Sequence, residues 1–115
     1  MLRLELTTWQ RIMAVQALNA QAGHISLIRK ALRLLEILEL SAEEREAVKL
    51  SELPGGGVTW QDTDMRFELE IKDRELAAHL KRAVGAYDRW PVEQARLVAD
   101  LFAQLGIEEG SNEDL

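Results

Sequence analysis

The chain has no cysteine, two prolines, two histidines and few aromatic residues, 5% of its 115. Without thiols it can form no disulfide and perform no thiolate chemistry, so it needs no oxidising compartment, and no cysteine is there to complete a zinc set. No stretch approaches the roughly 18 apolar residues of a membrane-spanning helix, and the opening MLRLEL alternates charge with leucine where a signal peptide would be apolar. Neither secretion nor membrane insertion is expected, and a cytoplasmic location fits. A basic surplus is also missing, since 14 Lys and Arg face 20 Asp and Glu for a net charge of −6. Phosphate backbones are ordinarily bound by a positive excess.

What is present suits one ordinary domain: 47% hydrophobic and 30% charged residues can bury a modest core. Four of the acids fall in EEGSNEDL, residues 108–115, which is too poor in apolar side chains to pack and reads as an acidic disordered tail. Residues 1–107 form the single globular domain, with a charge near −2.

Periodicity gives the elements. LRLEL, residues 2–6, alternates as a half-buried strand would, or it leads into the first helix. Thr7 or Thr8 caps a helix over about residues 8 to 21, with Trp9, Ile12, Met13, Gln16, Ala17 and Ala20 on its inward spacing and Gly23 as the stop. A second helix, capped by Ser26, is apolar over more than half its circumference, leaving a stripe of Arg29, Lys30, Arg33 and Glu36. Ser41 and Glu44 have the spacing of a capping box for a short third helix. VTW, residues 58–60, is expected to pair with MRFELEI, residues 65–71, across the polar turn QDTD. Asp73 caps a fourth helix carrying Leu76, Leu80, Ala83, Val84 and Tyr87. Pro91 opens a fifth, with Val92, Ala95, Val98, Leu101, Phe102 and Leu105 inward and Gly106 at its end. The expected fold is α+β and mostly helical, about five helices with a small antiparallel hairpin or sheet packed on one side.

Each chemistry-bearing motif has a plain structural reading beside it. The glycines of LPGGGVTW, residues 53–60, follow a helix and precede a strand, the reverse of a phosphate-binding loop, and no lysine follows them, so they read as a turn into a hairpin. Asp62 and Asp64, with Glu68 or Glu70, supply oxygen ligands for a divalent ion in principle, but a solvated turn accounts for both aspartates. His24 lies in an interhelical turn as a surface or capping residue, and His79 reads as the solvent-side partner of Glu75 one helical turn earlier. No catalytic, cofactor-binding or metal-binding constellation is expected.

Two surfaces remain. Trp60, Trp90 and Tyr87 are aromatic candidates for a protein interface, joined by Leu27, Leu34 and Leu38 on the apolar side of the second helix, which would face a second copy or a partner helix. Arg29, Lys30 and Arg33, with Lys81, Arg82 and Arg89, form the alternative, a basic patch for nucleic acid if the two groups merge in space.

The text LTTWQRIMAVQALNAQAGHISLIRKALRLLEILELSAEE, residues 6–44, resembles the start of a class of small uncharacterised proteins encoded in bacteriophages and prophages. The likeness rests on L-T-x-x-Q-R followed by Leu18, a glycine-containing turn, a K/R-x-L helix, the S-x-E-E helix and the glycine turn into V-x-W, and it extends to about Leu105. It departs from the pattern where alanine stands for ILP and WPVEQA for LTEEH. The resemblance implies a phage-like origin in a bacterial host and carries no catalytic residues with it. The function expected is a non-enzymatic protein-binding module that modulates host machinery or assists virion assembly, with nucleic-acid binding as the alternative.

Overall fold

The computed structural model describes residues 1–61 and 65–107. Strand β1 (Leu2–Thr7) runs directly into helix α1 (Thr8–Asn19), followed by α2 (Ile25–Leu38), α3 (Ala42–Ala47), the short strands β2 (Ser51–Glu52) and β3 (Val58–Thr59), β4 (Arg66–Ile71), α4 (Arg74–Ala86), a 3-10 turn (Val92–Gln94) and α5 (Ala95–Leu105). The protein is a mostly helical α+β fold with a small antiparallel sheet. Asp62 and Asp64, read from the sequence as part of a solvated turn, and the acidic tail lie outside the described residues.

Local chemistry sets the helix ends. Thr7 and Gln10 form a reciprocal capping box, the Thr7 hydroxyl accepting the Gln10 amide proton and the Gln10 side chain accepting that of Thr7. Ser41 and Glu44 do the same for α3, and Asp73 accepts from the amides of Glu75 and Leu76 at the start of α4. Helix α2 begins earlier than Ser26 because His24 supplies the cap, its Nδ1 accepting from the Ser26 amide at 3.2 Å. Gly106 closes α5 in the left-handed conformation, φ 72°, which glycine reaches without a Cβ penalty.

Strand pairing differs from the expected hairpin. β4 pairs with β1, Leu2 opposite Ile71 through Thr7 opposite Arg66, and β3 pairs with β2. The glycines at 55–57, all at positive φ, are the tip of that small β2–β3 hairpin, and no helix follows them. The pairing of β1 with β4 wins because both strands carry an apolar inner row, Leu2, Leu4 and Leu6 on one and Phe67, Leu69 and Ile71 on the other. Joining them buries Leu4, Leu6 and Ile71 to 1% exposure or less, each such aliphatic side chain contributing on the order of 2 kcal/mol.

On the sheet's inner side α1, α2 and α4 pack against one another, and α5 lies against β1. The core joins Leu4 and Leu6 to Ala14, Ala17 and Leu18 of α1, Leu34 and Leu38 of α2, Leu80, Ala83 and Val84 of α4, and Leu101 and Leu105 of α5. Two helix faces are rotated from the expected spacing. In α1 the inward residues are Gln10, Arg11, Met13, Ala14, Ala17 and Leu18, while Trp9 and Ile12 are half-buried and Gln16 is exposed. At the end of the chain Val92 is 89% exposed and Ala95 is also exposed, because residues 92–94 wind at three residues per turn and break the register with α5.

Candidate functional site

Between the outward side of α1, the α2–α3 corner and the β2–β3 hairpin lies an open groove of about 660 Å³. Its aliphatic walls are Ile12 and Val15 from α1, Leu40 and Leu50 from either side of α3, and Leu53 and Val58 from the hairpin. The glycine tip makes the third wall possible. Successive positive φ angles of 88°, 105° and 83° at Gly55, Gly56 and Gly57 turn the chain back, with the Leu53 amide donating to the Gly57 carbonyl, so Leu53 and Val58 line the groove together.

Arg11 lines the floor of the groove and is 1% exposed. It donates to the carbonyls of Leu38 and Glu39 at 2.8 Å each, closing the C-terminal end of α2, and to Glu44 Oε2 at 2.8 Å on α3. Its guanidinium also lies 5.0 Å from the ring centre of Phe67 on β4. Partial burial works to raise the Glu44 carboxyl, but hydrogen bonds from Arg11 and Ser41, with the Arg11 charge, outweigh it and hold the group below its ordinary value. Arg11 is therefore fully committed to the fold. On the rim, Arg45 donates to the Leu40 carbonyl, whereas the carboxylates of Glu39 and Glu52 have no ion pair among the described residues. Among those residues no three potential metal ligands cluster, and no helix is long and apolar enough to cross a membrane. The groove offers apolar contact, and its rim sets two carboxylates, Glu39 and Glu52, against the Arg45 cation.

The structure disperses the expected interface set. Leu34 and Leu38 are 0% exposed and belong to the core, so neither can meet an outside partner; α2 is apolar over so much of its girth because it packs on both α1 and α4. Leu27 is half-buried beside Gly23. Trp90 packs edge-on to Tyr87 and Phe102, with centroids 4.9 and 5.8 Å away, and joins the rim of the core with its indole Nε1 buried and without a hydrogen-bond partner among the described residues. Trp60 is half-buried just beyond β3. The exposed large apolar residues are instead Ile25 and Leu32 of α2, Leu53 of the hairpin, Val92 and Met1.

The basic residues divide as well. Lys30 reaches Glu75 at 3.6 Å, and Lys30 and Arg82 both act electrostatically on His79, which brings α2 and α4 charges to one side. Arg29 and Arg33 are exposed on α2. Lys81 turns elsewhere, its Nζ lying 3.9 Å from where a side chain on Gly106 would begin, at the negative end of the α5 dipole. Arg89 borders a separate polar hollow with Tyr87 and Asp88. His79 is not the solvent-side partner of Glu75: it is 1% exposed, and among the described residues neither ring nitrogen has a hydrogen-bond partner. Burial first, then the charges of Arg82 and Lys30, push its pKa below the ordinary 6.5. Glu68 and Glu70 stand on the outer face of β4, Glu70 between Arg3 at 3.9 Å and Lys72 at 3.8 Å.

Spacing alone missed Gln10 and Arg11. The T-x-x-Q capping box, and Arg11 standing three, six and seven residues before Ala14, Ala17 and Leu18, place both on the buried stripe. Comparison with protein-family models, curated proteins and solved structures finds no match.

Proposed function

We propose that the chain is a non-enzymatic protein-binding module of phage or prophage type, and that its groove receives a short aliphatic segment of another protein flanked by basic residues. The carrying observation is the convergence of six aliphatic side chains from three separate segments on one open groove of about 660 Å³, within the size range of ligand sites and large enough for two or three aliphatic anchors. Glu39 and Glu52 on the rim, with the acids of α3 nearby in sequence, select the flanking charge. A module of this kind fits host-machinery modulation or virion assembly.

Selection of a random peptide library on the immobilised protein tests the reading. Enriched peptides are expected to share aliphatic anchors beside Lys or Arg, and to lose binding at least tenfold with Val15→Asp or Leu53→Asp while Arg29→Glu leaves them bound. Absence of enrichment, or binding indifferent to both groove variants, would overturn it. The nucleic-acid reading draws on the charges of Lys30 and Arg82 both acting on His79. It requires duplex binding at low salt that weakens steeply as salt is added and is abolished by Lys30→Glu with Arg82→Glu.

A further inference from the structure

We propose that the outer edge of β4 is a second docking site, which adds an extended strand from another protein with a basic residue opposite Glu68 and apolar residues on either side of it. The basis is an asymmetry between the two edges of one sheet. Glu5 on β1 donates its N–H to Gln104 Oε1 at 2.7 Å and accepts Gln104 Nε2 at its carbonyl at 2.9 Å, while the Thr7 amide donates to Gln10 Oε1 at 2.8 Å. The Gln104 side chain thus stands in for the peptide group of a missing neighbour strand. These backbone groups point away from β4, so the ladder hydrogen bonds are made by Leu2, Leu4 and Leu6 with Ile71, Leu69 and Phe67 in the observed register.

The same alternation turns the N–H and C=O groups of Glu68 and Glu70 to the far edge. Among the described residues nothing bonds them there. The apolar face tells the same story, for Leu4 and Leu6 are 1% and 0% exposed, whereas Phe67 and Leu69, across the strand from Leu6 and Leu4, are only half-buried. An added strand would satisfy the backbone row and cover both side chains.

Charge identifies the occupant. Glu68 stands directly opposite Glu5 in the register, a like-charge cross-strand pair, and no cation among the described residues pairs with Glu68. A Lys or Arg beside Glu68 on a third strand relieves that repulsion. A second copy of β4 is poorly suited to this task. Centred on Glu68 it sets acid against acid, and its Arg66 is held toward the opposite edge by the Glu5 carbonyl at 3.2 Å and Asp100 at 3.4 Å.

Amide hydrogen exchange on isotope-labelled protein tests the proposal, using the peptide acetyl-Thr-Val-Lys-Val-Thr-amide and its counterpart with Glu in place of Lys. The Lys peptide is expected to slow exchange at Glu68 and Glu70 while Glu5 and Thr7 are unchanged, and to bind roughly fivefold or more tightly than the Glu peptide. Glu68→Lys should reverse that preference, and Leu53→Asp should leave it intact, which separates this site from the groove. Three results would overturn it: no slowing at millimolar Lys peptide, an equal response to both peptides, or slow exchange at Glu68 and Glu70 without peptide. In the last case, slowing that grows with protein concentration would assign the edge to a second copy, and slowing at every concentration would assign it to the chain itself.

Discussion

Arg11 at the corner of α1 and His79 at the seam of α2 and α4 are buried equally, each 1% exposed, yet they solve burial in opposite ways. Arg11 cannot shed its proton, so the fold surrounds it with two carbonyls, a carboxylate and an aromatic face. His79 can become neutral, and it lies against the core with no hydrogen bond at either nitrogen among the described residues. A fixed charge requires polar partners from the neighbouring elements; a titratable group can be packed without them, and the fold then becomes sensitive to pH there.

The largest break in that comparison is Arg11→Met. Truncating the hub leaves the carbonyls at the end of α2 without their donor and Glu44 with the Ser41 amide alone, and because Glu44 is partly open to water the cost is about 2 kcal/mol or more. The urea midpoint is expected to fall by roughly 1 M or more at unchanged m-value. Arg11→Lys should recover less than half of the loss, since one ammonium cannot reproduce a planar fork that meets three acceptors. A loss under about 1 kcal/mol for the methionine variant would mean that water replaces the guanidinium, contrary to its role as a clamp.

The second break is His79→Leu. The imidazole contributes no hydrogen bond, so an aliphatic replacement of similar volume should stabilise the protein by about 1 kcal/mol at neutral pH. Its pH signature is more telling. The unfolded chain binds a proton at this ring near 6.5 and the folded chain only at lower pH, so the unfolded state holds more protons in between. Stability is complete above about pH 6.5 and declines as pH falls through that window. His79→Leu should flatten this limb and leave a second one at more acid pH. That second limb belongs to Glu44 and to Asp100, where partial burial is outweighed by hydrogen bonds from Gln10, Gln104 and Arg66. Both carboxyls are held below their ordinary 4.5 and 3.8, so their contribution is present above those values and lost as pH falls to the folded ones. Denaturant melts from pH 7.5 to 3 separate the two limbs, and a variant that keeps the first would acquit His79.

The contrast also explains what the sequence disclosed. Strand alternation in LRLEL and RFELEI, and the caps at Ser41, Asp73 and Gly106, were legible because each depends on a few neighbouring residues. The partner of β4 was not, since a hairpin with residues 58–60 is the local choice and only the matching apolar rows reveal β1, some 60 positions away. His79 was misread because its Glu75 spacing fits a surface pair, although Leu76 and Ala83 on the same stripe bury it. The groove was illegible for a similar reason: its walls come from three segments, and only the glycine tip had a local signature.

The smallest effect sharpens the seam rather than breaking it. Lys30 is bound to Glu75 across α2 and α4 at 3.6 Å, with side chains 35% and 78% exposed, and an ion pair so open to solvent contributes about 0.5 kcal/mol or less. Lys30→Gln should therefore barely move the melting curve, and Arg82→Gln should do likewise. Both cations nevertheless help to keep His79 neutral, so each variant should raise the imidazole titration midpoint while leaving it below 6.5, because burial is the larger cause and remains. Proton-detected titration of the His79 ring checks this directly. A midpoint unmoved by either substitution would place the two cations outside the field of His79 and divide the α2 and α4 basic residues into separate surfaces, which would also remove the support that the nucleic-acid reading draws from their joint action on it.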